Sequence, residues 1–356
     1  MQLFPKKLSQ IYLVLFVSAF LTITGNFTFF QKTILIYPLS ENWLFLGSLF
    51  FFLFTFLAAL LLLFCYRVTT KPILIVLLMI SAIVSYSTNN YGIVFDHNMI
   101  LNTFETDTSE FLDLVSFKSI LYFFIFGLLP SIFVSKVKLK KISFKAQLWE
   151  RIKTFLVLVI IFVIIVLTFS KHYSSFAREN RDLRLYITPT YYLYSATKFV
   201  DSKFATSTKP FKEIGLDAKL NKKSDTRRLV ILVVGETARA DHMSLNGYDR
   251  NTNPYLEKEE IISFDKMTSC GTDTALSVPC MFSLLDRSSY NHAKGKNMSN
   301  VLDIISHAGV SVLWLDNNSS SKSVADRITF KDYRSSKLNS ICNPECRDEG
   351  MLVNLQ

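Results

Sequence analysis

Three short stretches hold the residue types that could do chemistry. In "LVILVVGETARADH", residues 229–242, six apolar residues run into Gly235 and then Glu236. In "TSCGTDTALSVPCMF", 268–282, the hydroxyls of Thr268, Ser269, Thr272, Thr274 and Ser277 gather around Cys270 and Cys280. In "VSVLWLDNN", 310–318, a second apolar run ends on Asp316, Asn317 and Asn318. A carboxylate at the end of a buried strand is a hard oxygen ligand for a divalent cation, zinc included. A hydroxyl held beside such a cation becomes a nucleophile, because coordination lowers its pKa. Spacing alone leaves a second use for Glu236, as the cap of a helix starting near Thr237.

The elements that must position these groups read as an α/β layer. "LVILVVG" has the unbroken apolar pattern of a strand buried on both faces of a parallel sheet. "NVLDIISHAG", 300–309, has helical spacing with a glycine stop, and "VSVLWLDN", 310–317, is the next strand. Sites in such sheets form beyond the carboxyl ends of the strands, where Glu236 and the Asp316–Asn318 group would share one crevice. Of five cysteines, Cys65 lies in an apolar run and Cys270, Cys280, Cys342 and Cys346 lie in the polar half. That even number suits disulfides Cys270–Cys280 and Cys342–Cys346 in an oxidising compartment. A four-thiolate zinc site is the rival reading, against which the spacing lacks two close Cys-x-x-Cys pairs.

The first half of the 356-residue chain is too apolar for a soluble domain, with 32 Phe in the whole sequence. Five runs, 11–30, 43–66, 72–88, about 120–134 and 155–169, are candidates to cross a bilayer core of roughly 30 Å. Lys6 and Lys7, Arg67 and Lys71, and the cations from Lys136 to Lys153 mark one set of loops. The 93–114 loop is acidic. The N-terminus is therefore expected in the cytoplasm, and five crossings deliver everything after residue 171 to the far side. The net charge of +10 is partly this topology signal, and nucleic acid is not an expected partner. The divisions read as a membrane domain, 1–171, a connecting region, 172–228, and an exported α/β domain, 229–356. The aromatic, basic segment 171–200 suits either a membrane-interface helix or an ordinary packing helix.

Long segments then carry a family resemblance. "VVGETARADHMSLNGYDRNTNP", "SCGTDTALSVPCMFS", "WLDNNSSSK", "YGIVFDHNMILNTFETDTSE" and "SFARENRDLRLYITPT" resemble the signature segments of bacterial phosphoethanolamine transferases. These are lipid A-modifying enzymes of the alkaline phosphatase/sulfatase superfamily, and they include the mobile colistin-resistance enzymes. The resemblance implies a five-helix inner-membrane domain with a periplasmic sulfatase-like domain. It implies transfer of phosphoethanolamine from phosphatidylethanolamine to lipid A or another envelope glycan, by a monomer. Thr274 matches the nucleophile, and Glu236, with Thr274, matches the zinc ligands. Asn102, Thr106 and Glu110 match residues holding the donor headgroup. Asn318, Ser319 and Lys322 match positions lining the headgroup or phosphate pocket.

Other readings are a phosphoglycerol transferase or sulfatase of the same superfamily, and a non-catalytic lipid-binding relative. "CGTDTA" does not match the sulfatase motif. The family pattern also leads one to expect a continuation carrying an Asp-His zinc pair. Asp96-His97 and Asp241-His242 lack that pair's downstream context. On this reading the chain is C-terminally truncated, binds zinc weakly and transfers little.

Overall fold

The apolar runs form helices, and one asparagine sets the shape of the first. The computed structural model describes residues 7–105, 114–207, 210–221, 226, 228–318, 320–343 and 345–353. Helices α1 (Gln10–Gly25) and α2 (Phe27–Ile36) occupy the expected first span, but they meet at a 58° bend. Asn26 is the cause: it is buried inside an apolar bundle, where an unpaired amide costs several kcal/mol, on the order of 2–7. Its Nδ2 donates to Thr188 O at 2.8 Å, and its Oδ1 accepts from Thr188 N at 2.9 Å. Asn26, which caps both helices at the bend, spends its amide on that partner rather than on a continuing helix.

Helices α3 (Leu39–Phe64), α4 (Thr70–Tyr91), α6 (Phe117–Lys136) and α7 (Phe144–Thr168) are each long and apolar enough to cross a membrane. Between α4 and α6 lies α5 (His97–Glu105). A capping box starts α6: Ser116 Oγ accepts from Ser119 N, and Ser119 Oγ accepts from Ser116 N. Leu13, Val17, Leu61, Leu74 and Leu78 form the fully buried seam of the bundle. At one end of it, Leu8 N donates to Lys138 O at 3.0 Å and Lys140 N to Leu8 O at 2.9 Å. At that same end, Gln10 Nε2 donates to Cys65 O and to Thr70 Oγ1. Arg151, buried, donates to the Cys65 and Leu62 carbonyls. These are the orphan carbonyls at the C-terminus of α3, which a cation satisfies well.

Helix α8 (Ser170–Glu179) carries the aromatic segment that sequence left between two readings. Its Tyr173 and Phe176 pack edge-on against Phe45 of α3, and Tyr173 shares a hydrogen bond with Ser48. These contacts are those of a packing helix. A short 3₁₀ segment, Arg181–Tyr186, leads on to α9 (Thr190–Ser207).

The chain divides into two compact units, Met1–Ile100 with Thr108–Phe199, and Leu101–Asp107 with Val200–Gln356. The second unit holds α10 (Thr274–Met281), α11 (His292–Lys296) and α12 (Val301–His307), with strands β1 (Leu313–Asp316) and β2 (Thr329–Asp332). The strands pair in parallel, Leu313 opposite Thr329 and Asp316 opposite Asp332. Asn300 caps α12 through the N–H groups of Leu302 and Asp303, and Gly309, at φ +93°, ends it. A small core of Val278, Phe282 and Val324 is flanked by Val234, Leu302 and Trp314.

"LVILVVG" corrects the expectation of a buried parallel strand. Among the described residues 229–235 join no ladder, and Leu229 to Val233 are exposed. A central strand needs hydrogen-bonding neighbours along its edges and a layer on each face. Here only Val234 reaches the core, so the run is an extended lead-in to Glu236. The helix that Glu236 might have capped is also absent from the described residues. The next elements are 3₁₀ turns at Ala240–His242 and Ser244–Asn246.

Candidate active site

One carboxylate collects three side chains from distant parts of the second unit. Thr237 Oγ1 donates to Glu236 Oε1 at 2.7 Å, and Asn318 Nδ2 donates to Oε2 at 2.8 Å. Thr274 Oγ1 lies 3.2 and 3.4 Å from the two carboxylate oxygens. Thr237 takes a left-handed backbone, φ +50°. That conformation strains a β-branched residue and persists only where its surroundings over-determine it.

Three local devices hold Thr274. It is the first residue of α10, and Asp273 caps that helix by accepting from Leu276 N at 2.9 Å. The Cys270–Cys280 disulfide ties the preceding loop to the helix's last turn. Gly271 lets the loop lie under Leu276, since an added Cβ would stand 2.5 Å from Leu276 Cδ2. The hydroxyl is thereby presented from a short, crosslinked, capped helix, which limits how far it can wander.

Asn318 is held from the other side. Asp316, buried at the end of β1, accepts from Asn318 N at 2.9 Å and from Trp314 Nε1 at 3.1 Å. The Asn317 amide donates to Cys346 O and Asp348 Oδ1, both at 2.8 Å. Cys342 and Cys346 close that loop as a second disulfide. Fully buried Asn339 donates to Tyr333 O and Arg347 O, stapling the loop to the residue after β2. Lys322 is buried in the following turn, where Ser320, Lys322 and Ser323 all have positive φ. Consecutive strained residues of this kind mark a turn whose shape is set by something other than local preference.

The remaining expected residues fall elsewhere. Asn102 lies on α5, half-buried, in the stretch that belongs to the second unit. Thr106, Glu110 and Ser319 lie outside the described residues. Neither Asp-His pair is idle. Asp96 Oδ1 accepts from Met99 N, opening α5. Asp241 is clamped by Arg239 at 3.0 and 2.6 Å and touches His242 at 3.0 Å. The Arg239 guanidinium, then His242, holds the Asp241 carboxyl well below the usual carboxylate range.

Sequence reading gave no site role to Thr237 or Asp273. Thr237 is signalled only by standing next to Glu236, whereas an Asp before an apolar helix is a readable cap.

The donor set is a carboxylate and a hydroxyl, both hard oxygen ligands, and both fit zinc as one side of a site. Among the described residues no three His, Cys, Asp or Glu side chains converge.

Comparison with known proteins gives the family of the chain. Residues 53–204 match the phosphoethanolamine transferase EptA/EptB N-terminal family, and 228–356 match the sulfatase family. Phosphatidylethanolamine transferase Mcr-1 of Escherichia coli is 41% identical over 365 residues, 99% of this chain and 68% of its own. The chain belongs to the phosphoethanolamine transferase family. EptA of Escherichia coli K12, another member, is 31% identical over 96% of this chain and 64% of its own. The solved integral-membrane lipooligosaccharide phosphoethanolamine transferase A from Neisseria meningitidis superposes with a TM-score of 0.91 at 31% identity. That match covers 97% of this chain and 66% of that one. The chain thus spans about two thirds of the length of these transferases. Its architecture is theirs, a membrane helical domain followed by a sulfatase-like domain. Members of that superfamily typically use a metal.

Proposed function

We propose that this chain is an inner-membrane phosphoethanolamine transferase that takes its group from phosphatidylethanolamine and delivers it to lipid A or a related envelope glycan. The observation that carries this is the Thr274 hydroxyl held 3.2 Å from Glu236, within a family whose relatives are phosphoethanolamine transferases. Thr274 Oγ1 forms a bond to the donor phosphorus as the bond to the diacylglycerol oxygen breaks. The hydroxyl proton ends on that leaving oxygen. An acceptor oxygen then bonds to phosphorus, the Thr274–phosphorus bond breaks, and Thr274 recovers a proton.

Glu236 and Thr274 would hold zinc, which when bound lowers the pKa of the hydroxyl and offsets phosphoryl charge. Asn318 fixes the rotamer of Glu236, and Thr237 holds its second oxygen, so the Thr274 hydroxyl meets an oriented carboxylate. Lys322 and Ser319 would line the phosphate side of the pocket, and Asn102, Thr106 and Glu110 keep the donor-headgroup role that the family resemblance implies. A lysine suits the donor's phosphate. The charge pattern of the loops supports a cytoplasmic N-terminus and a periplasmic second unit, and the two disulfides suit that compartment.

The test is single-turnover trapping. Purified chain is incubated with excess zinc, since two ligands hold the ion weakly, and with fluorescent phosphatidylethanolamine, and a single adduct rather than repeated transfer is read after digestion by mass spectrometry. The expected result is one phosphoethanolamine group on the peptide bearing Thr274, absent in Thr274→Ala. An adduct at another residue, or label turnover surviving in Thr274→Ala, would overturn the reading.

A further inference from the structure

A groove of about 440 Å³ opens on the first unit, where α1 and α7 begin. Its polar rim carries Arg67, Lys140 and Lys153 against one carboxylate, Glu150, and its apolar wall is made by Tyr12, Leu15 and Val157. We propose that it binds one anionic phospholipid, with the headgroup phosphate on the three cations and an acyl chain along the apolar wall.

Three features favour a lipid. The volume is in the usual range for small-molecule sites, roughly 300–1,000 Å³. Cations and apolar side chains line the same groove where apolar helices begin, and a phospholipid carries both kinds of partner. The cation excess suits a net negative headgroup better than the zwitterionic transfer donor.

The walls are also fixed. The Leu8 backbone pairs with Lys138 and Lys140, and the Gln147 amide donates to Gln10, which in turn donates to Cys65 O and Thr70 Oγ1. A loop of lysines attracted to a charged surface in general would need none of this framing. The groove shares no residue with the Glu236–Thr274–Asn318 site, so its failure would leave the transfer reading untouched.

The test uses the full chain in nanodiscs of phosphatidylcholine, with and without phosphatidylglycerol, and native mass spectrometry to count retained lipid. One phosphatidylglycerol is expected to be retained, and the melting temperature to rise with it. The double variant Lys140→Glu, Lys153→Glu should bind it roughly tenfold more weakly. Val157→Trp, which fills the apolar wall from an exposed position, should do likewise without altering charge. Lys136→Glu with Lys145→Glu, outside the groove, should change nothing. Inorganic phosphate alone should not raise the melting temperature. Equal retention of phosphatidylcholine, equal loss in the Lys136, Lys145 variant, or full stabilisation by free phosphate would each overturn the site.

Discussion

Glu236 is exposed and Thr274 half-buried, so while the capped, crosslinked helix holds Thr274, the approach of the Glu236 carboxylate depends on hydrogen bonds. The Asn318 amide is the most informative of these, because it reaches Glu236 from 82 residues away. A hydrogen bond to a charged group is worth about 1.5–3 kcal/mol. Asn318→Ala is therefore expected to slow adduct formation at Thr274 by roughly 10- to 100-fold. The melting temperature should hardly move, since the side chain is exposed. Asn318→Asp should be worse still, as it sets two carboxylates side by side. Thr274→Ser keeps the hydroxyl and should still form the adduct.

The Arg239–Asp241 clamp has a different signature. The folded carboxyl titrates below its unfolded value of about 3.9, so its stabilisation is complete above that pH and is lost as pH falls through the folded value. The stability difference between wild type and Asp241→Asn should be flat from pH 6 to 8 and shrink only below about pH 4. A difference that changes between pH 6 and 8 would mean that Arg239 does not dominate the pairing.

Elements show what sequence could and could not disclose. Membrane helices follow from hydropathy alone, because lipid demands a long apolar run and internal backbone bonding. The bend at Asn26 does not, because its partner Thr188 is 162 residues distant. β1 and α12 were legible from period, cap and glycine stop, whereas 229–234 has the composition of a strand and no described neighbour to pair with. In the same way the hydroxyl loop and the carboxylate were legible as chemical types, but their 3.2 Å approach is a tertiary fact.

The loop before α10 makes a sharper test of local geometry. Gly271→Ala drives a methyl into Leu276, and overpacking of this kind costs about 1–3 kcal/mol. Leu276→Ala should recover much of that loss, so the double variant should be more stable than the sum of the two single changes. Additive effects, read by denaturant unfolding of the second unit's fluorescence or by protease cutting near 268–274, would show that Leu276 does not press on the glycine.

At the scale of the whole chain, the side on which the second unit lies can be argued without counting every crossing. The Arg67–Lys71 and Lys136–Lys145 loops are separated by α4 and α6, two spans, so they share one side. If α7 makes one more crossing from the second loop, the residues after it are expected on the side away from the basic loops whatever the bent α1–α2 pair does. Only the N-terminus depends on that pair. There the backbone decides, because Leu8 bonds to Lys138 and Lys140, and Gln10 bonds to Cys65 at the end of α3. The start of α1 therefore sits at the basic end, while α3 must begin at the other end to finish there. On the proposed topology the α1–α2 pair would traverse the bundle, bend included, and make the fifth of up to five crossings. Cysteines placed at Lys7 and Lys140 should be shielded together from an impermeant maleimide added to spheroplasts, while one at Thr252 should label. Labelling of Lys7→Cys but not Lys140→Cys would break the pairing of Leu8 with that loop and reduce the spans to four. Labelling of neither Thr252→Cys nor any other site in 240–260 would leave the disulfides on the reducing side, where Cys270–Cys280 could not persist.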